Sequence, residues 1–474
     1  MAAPVKPPQR VLGRIVTGAS ALVLIVMTAL LVRLHVGEPR LAGVEHPERA
    51  LAVIVERTMD GQAALAGARA WERRLYALTL TDSSDEIGQS IAWYDELAGY
   101  SVAPGVDLRL GILLGEAGRR DRLERVLRQW QVRGEPLAAH GEVIAAAYLD
   151  AGEVDADRAS GTLAELGTGW FADSLVLRLA VRLDKPAMAE TARAAIAARA
   201  RPLLWRLRAL AGLDVGLLVL GLVALRPLWR RRPGWRPAVA DAALPPPWSL
   251  GFGLATLVRG SALAALVLLT LLIGNQWLAE QPILAEAVDQ PLMYLPLLLL
   301  VWRALLVPSG LGFVTVFGLW PRRDGWLPCL QAAAALVAAG IVIDLGLGLL
   351  GEPLGLTSHW TEWFDADLAW GSAAAVGVTL IGSIVFAPVF EEIIFRGLLY
   401  GTMRTRLAWP VAALGSALVF ALAHGYGAAG FLSVFLSGVL WAWVYERTGS
   451  LLPSMAAHVV NNAAVAVTLT ALLR

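Results

Sequence analysis

The chain has 474 residues but one cysteine, and its only lysines are Lys6 and Lys185. Cys329 lies in an apolar run, which excludes an intrachain disulfide and a thiolate metal site, and with them redox chemistry. Arginine supplies nearly all the positive charge, a compositional bias that decides nothing about function. Charge of either sign is scarce: 17% of residues are charged, against about 25% in soluble domains. The net charge of +1, with basic residues clustered beside apolar runs, excludes a nucleic-acid surface and assigns those residues to topology. What is abundant is apolar: 57% hydrophobic residues describe a multi-spanning membrane protein.

An apolar run of about 20 residues crosses a bilayer. Nine such runs are read here, at residues 15–32, 209–225, 254–278, 291–307, 327–350, 371–403, 409–424, 430–445 and 451–473. Lys6, Arg10 and Arg14 before the first run predict a cytoplasmic N-terminus and an uncleaved anchor, since no small-x-small cleavage site follows. Arg226, Arg230, Arg231, Arg232 and Arg236 after the second run mark a cytoplasmic loop, so residues 37–202 are expected on the extracytoplasmic side. Alternation then puts Arg322, Arg323, Arg404, Arg406 and Arg447 inside and the acidic loops 280–289 and 352–367 outside. The Arg- and Ala-rich composition suggests a bacterial inner membrane. Trp229, Trp248, Trp277, Trp320, Trp326, Trp360, Trp363 and Trp409 lie near run ends and are expected as interfacial anchors. Arg259, Arg303, Asp214 and Asp344 lie near span ends, where each is expected to snorkel.

The expected organisation is an anchor at 1–36, an exported helical domain at 37–205, a second span with a basic linker at 206–248 and a membrane domain at 249–474. The exported segment is Ala-rich and amphipathic with almost no alternating β-branched residues, which argues for helices. Leu114-Gly115-Glu116-Ala117-Gly118-Arg119 recurs as Leu149-Asp150-Ala151-Gly152-Glu153 and then Leu183-Asp184-Lys185-Pro186-Ala187, placing Gly118, Gly152 and Pro186 at a period of 34. That period is the tetratricopeptide one, although the Trp, Tyr and Pro marks are missing. The segment gathers no catalytic cluster, and His35, His46 and His140 are expected at its surface, so its role is to bind a protein partner.

The chemistry lies in the last third. Phe390-Glu391-Glu392-Ile393-Ile394-Phe395-Arg396 puts two carboxylates and a guanidinium into an apolar stretch, where each charge costs roughly 2.5 to 3.5 kcal/mol near the bilayer centre. Glu392 and Arg396 are four apart and can pair, leaving Glu391 about 100° around the helix to face a cavity. Phe420 and His424 are also four apart, as are His458 and Asn462, so each pair shares a helical face. Counted from the nearest cytoplasmic helix end, Glu391, His424 and His458 lie at one level, about 16 to 23 Å in. A carboxylate and two imidazoles at one depth suit water activation, and peptide-bond hydrolysis fits.

These segments resemble the EExxxR, FxxxH and HxxxN motifs of the CPBP family, the CAAX-protease and bacteriocin-processing (Abi) intramembrane endopeptidases. The resemblance covers roughly residues 250–474 and not the exported segment. It implies a membrane-embedded or lipidated peptide or protein substrate. It also implies Glu391 activating water with help from His424, His458 and Asn462 stabilising the oxyanion, Glu392 and Arg396 completing the catalytic set, and Phe420 supporting it. The family has been described both as metal-dependent and as a glutamate-type protease without metal, so Zn2+ held by Glu391, His424 and His458, or no cofactor, are both open.

Two readings of other classes compete. Intramembrane Glu, Arg and His also mark a transporter or proton relay, although no inverted repeat accompanies them here. A scaffold recruiting a partner through helical repeats is the third reading, disfavoured by the intact motifs. The fold class expected is therefore all-α, a polytopic membrane bundle of about nine spans with an exported helical domain between spans 1 and 2.

Overall fold

A computed structural model describes residues 11–37, 40–79, 86–153, 155–230, 239–278, 282–356 and 358–474. Their regular structure is helical throughout. Eight helices are long and apolar enough to cross a membrane: Val11–Leu30, Pro186–Arg226, Leu250–Leu271, Ile283–Ser309, Trp326–Gly351, Ala373–Arg404, Ala428–Thr448 and Leu452–Leu473. Trp409–His424 is a shorter apolar helix of 16 residues. Each of the nine apolar runs falls on one of these helices, and the chain is an all-α integral membrane protein. Lys6, Arg10, Arg231, Arg232 and Arg236 lie outside the described residues.

The chain divides into two compact units, one of Met1–Glu38, Gly212–Thr470 and Arg474, the other of Pro39–Ala211 with Ala471–Leu473. In the second unit, helices Pro104–Glu116, Leu137–Tyr148 and Trp170–Arg182 begin 33 residues apart and pack in a row. Each is followed by a left-handed turn and a second helix. The turn residues are Gly118 (φ 66), Asp150 (φ 54) and Asp184 (φ 49), each two positions beyond its helix end. The equivalence expected of Gly118, Gly152 and Pro186 is thus displaced: Gly152 belongs to the longer second turn and Pro186 opens the next helix. Arg119 N–H donating to Leu114 O, and Lys185 N–H to Ala180 O, both at 2.9 Å, close the first and third turns as Schellman motifs do.

His140 is buried rather than at the surface, with Nδ1 2.9 Å from Thr162 Oγ1. Glu56 is the unusual carboxylate of this unit. Its oxygens press on Gly169, where a Cβ would lie 2.3 Å from Oε1. Burial lifts its carboxyl from 4.5 to about 7, with Arg109 opposing and Asp60 adding to the shift.

In the membrane unit, three polar residues depart from expectation. Arg259 does not snorkel freely but bonds Thr17 Oγ1 through Nε at 2.9 Å, joining the first helix to the third span. Trp248 is buried with its indole N–H donating to Thr402 Oγ1 at 3.0 Å, and Trp360 is wholly buried, so neither is an interfacial anchor. Trp320 and Trp326 are exposed, as anchors are.

Candidate active site

The site is built on Ala373–Arg404, and this helix is not a regular α-helix. Two wide π turns interrupt it, at Gly382–Phe386 and Glu392–Tyr400. Such turns release carbonyls from the helical ladder and often mark functional sites. The first has a legible cause. Ala387 N–H donates back to Gly382 O, and Pro388 has no N–H, so neither of the next two helical donors serves the Ser383 carbonyl. Asn462 Nδ2 donates to it instead, at 2.8 Å. In the second turn, Phe395 O accepts from Ser416 Oγ at 2.7 Å.

The pair expected from the four-residue spacing is present: Arg396 Nη1 donates to Glu392 Oε1 at 2.9 Å, both side chains fully buried. The same Oε1 lies 3.3 Å from His458 Nδ1. A carboxylate can only accept here, so Nδ1 carries the proton in that contact. His458 Nε2 then faces Glu391, 3.7 Å from its Oε2. Glu391 is 16% exposed where Glu392 is sealed, so the first carboxylate is open and the second closed.

His424 stands apart from this group. Its Nδ1 donates to Phe420 O at 2.8 Å, which leaves Nε2 as the free acceptor. Its ring is edge-on to Phe420 at 4.6 Å, and Phe420 in turn is edge-on to His458 at 6.1 Å. Phe420 thus stands between the two imidazoles and covers Arg396, whose Cζ lies 3.9 Å from its centroid. No ion pair joins His424 to Glu391 among the described residues. Trp441 also lies against Arg396, and Tyr426 lies 5.4 Å from His424; the motif spacings flag neither.

The donor set tests the expected zinc site. Among the described residues no three His, Cys, Asp or Glu side chains are grouped to hold an ion. Glu391 and His458 approach each other, but His424 is turned away behind Phe420 and His458 Nδ1 is taken by Glu392. As placed, Glu391, His424 and His458 do not fit a resident zinc.

Around the site, the 360–362 turn leans on the loop after His424: Gly427 N–H donates to Glu362 Oε2 at 3.0 Å. A cavity of 320 Å³ opens beside the first π turn, lined by Glu286, Asp365, Thr379, Ser383 and Phe386. At the other end of the motif helix, Arg404 and the Tyr400 hydroxyl both donate to Glu446 and close the packing.

Residues 373–464, which hold every one of these motif residues, match the family described as type II CAAX prenyl endopeptidase Rce1-like. An uncharacterized 24.3 kDa protein of Escherichia coli is 30% identical over 171 residues, 35% of this chain and 72% of that protein. The chain belongs to the CPBP, or CAAX-protease, family. No solved structure matches it. Family membership makes it a CAAX-type membrane protease at the family level, and the matched segment begins and ends within the membrane unit.

Proposed function

We propose that this CPBP protein is an intramembrane endopeptidase of membrane-associated, lipidated peptides, using water activated by Glu391. The observation that carries the reading is the approach of an open carboxylate, Glu391, to an imidazole whose other nitrogen is held by a sealed Glu392–Arg396 pair. A water between Glu391 Oε2 and His458 Nε2 gives its proton to Glu391 while its oxygen adds to the scissile carbonyl carbon. The oxyanion meets His458 and the second amide hydrogen of Asn462, whose orientation is set by Ser383 O. Collapse breaks the C–N bond, and Glu391 returns the proton to the departing amine. His424, with Nε2 free, assists from the far side of Phe420 by accepting a hydrogen bond from water or substrate.

The Glu392–Arg396 pair has a separate role, since it neutralises two buried charges and fixes His458. The substrate reading rests on the family description, which names a prenyl endopeptidase. Cleavage of a prenylated peptide by the purified protein, with the new termini identified by mass spectrometry, tests it; no cleavage of any lipidated peptide would count against it.

We place the protein in a bacterial inner membrane with its N-terminus cytoplasmic and residues 37–202 outside, on the strength of the basic flanks of the first two spans. There the helical unit recruits a protein partner or holds a substrate's exported part; a polar cavity of 530 Å³ lined by Glu116, Arg120, Tyr148, Asp150, Arg178 and Arg182 supports that role. Reporter fusions after residue 200 test the topology, and deletion of residues 37–202 tests the recruiting role.

A further inference from the structure

The helix Ala428–Thr448 carries none of the three motifs, yet it reaches the centre of the site. Trp441 is 6% exposed and makes two contacts with its ring. Arg396 Cζ lies 4.8 Å from the ring centroid, and the His458 ring lies 4.4 Å away with its plane tilted by 33°. One turn earlier, a Cβ on Gly438 would meet Arg396 Nη2 at 2.8 Å and Ala417 Cβ at 3.0 Å. One helical face thus supplies the gap that admits the guanidinium and the ring that covers it.

The coverage answers a chemical need. Arg396 Nε and Nη2 are buried and find no hydrogen-bond acceptor. The faces of Phe420 and Trp441, on which a cation is attracted by the ring quadrupole, stand where acceptors would be. The same indole lies along His458, whereas Phe420 meets that ring edge-on at 86°. Only Trp441 therefore opposes rotation of the imidazole out of its plane.

We propose that Trp441 is a positioning residue: its indole fixes Arg396 and His458 together, so that both share Glu392 Oε1 and His458 Nε2 stays turned toward Glu391. The kinetic consequence rests on the hydrolase reading above, but the positional one does not. Loss of the ring frees His458 to turn and breaks its register with Glu391, while substrate contacts made elsewhere are unaffected.

The test uses the full-length protein with Trp441→Leu and Trp441→Phe. Its probes are a farnesylated CAAX peptide and diethyl pyrocarbonate, which modifies exposed imidazole and is read at each histidine by peptide mass spectrometry. Trp441→Leu should lower kcat about 10-fold or more while KM stays within about 2-fold, the pattern of a lost transition-state interaction. It should also speed modification of His458 while His140 reacts at the wild-type rate. Trp441→Phe, which keeps a ring face, should restore both. Equal behaviour of the Leu and Phe variants, or unchanged His458 modification in Trp441→Leu, would overturn the proposal. Where the wild-type protein fails to cleave the peptide, the hydrolase reading falls and the His458 modification still decides the role of Trp441.

Discussion

His458 touches Glu392 with one ring nitrogen and faces Glu391 with the other, at 3.3 Å and 3.7 Å. Adjacent glutamates on one helix thereby acquire different work: Glu392 holds the ring, and Glu391 is left to act.

That division predicts different failures. Glu392→Ala leaves Arg396 buried without its counter-charge, and breaking a buried pair costs roughly 3 to 5 kcal/mol. Expression and thermal stability should both fall. Glu391→Gln, at a partly exposed position, should insert and melt like the wild-type protein. Equal melting of the two variants, followed in detergent, would contradict the assignment.

Asn462→Asp should fold but lose turnover. An aspartate has no N–H to give Ser383 O, so the group facing the oxyanion loses its anchor and becomes an acceptor. A fall in kcat on the order of 10² is expected for a lost oxyanion donor, with KM little changed. A KM effect alone would move Asn462 from catalysis to substrate binding.

The helical unit should weaken as pH rises. The Glu56 carboxyl is lifted from 4.5 to about 7, so the folded unit binds this proton more tightly than the unfolded chain does. Its contribution is complete below pH 4.5 and is lost as pH rises toward 7. The full span is worth roughly 3 kcal/mol. Asp60, raised by burial, acts in the same direction. Pulse proteolysis of the full chain at pH 5.5 and 8 should show the decline, and Glu56→Gln should flatten it. A wild-type unit more stable at pH 8 would reverse the sign and refute the account.

Because Glu391, His424 and His458 are not grouped to hold an ion, the purified protein should cleave its substrate without stoichiometric zinc, and chelators should not silence it. Zinc at one ion per chain, with activity lost on its removal and regained on its return, would replace the glutamate mechanism by a metal one.

Much of this was legible in the residues. Hydropathy located each span, because a bilayer demands about 20 apolar residues whatever the packing. The four-residue spacing gave the Glu392–Arg396 pair, since helix geometry alone brings such residues together. The π turns were not legible: the gap at Ser383 needs both the missing N–H of Pro388 and an acceptor-seeking Asn462 from a distant helix. The place of His424 behind Phe420 likewise depends on rotamers, not spacing. Burial of His140 did have a signal, in its position on one helical face with Leu137 and Ile144, both buried. The turn register was misread because Gly152 and Pro186 looked like stronger breakers than Asp150 and Asp184, which adopt the left-handed conformation despite their side chains.

The central claim is that Glu391 activates the water. Its most direct test is the initial rate of cleavage of a farnesylated CAAX peptide by purified wild-type and Glu391→Gln protein, matched for folded content by melting. The account predicts a fall on the order of 10² to 10⁴ in kcat, the range that a general base supplies. A Glu391→Gln protein that cleaves at the wild-type rate would contradict it.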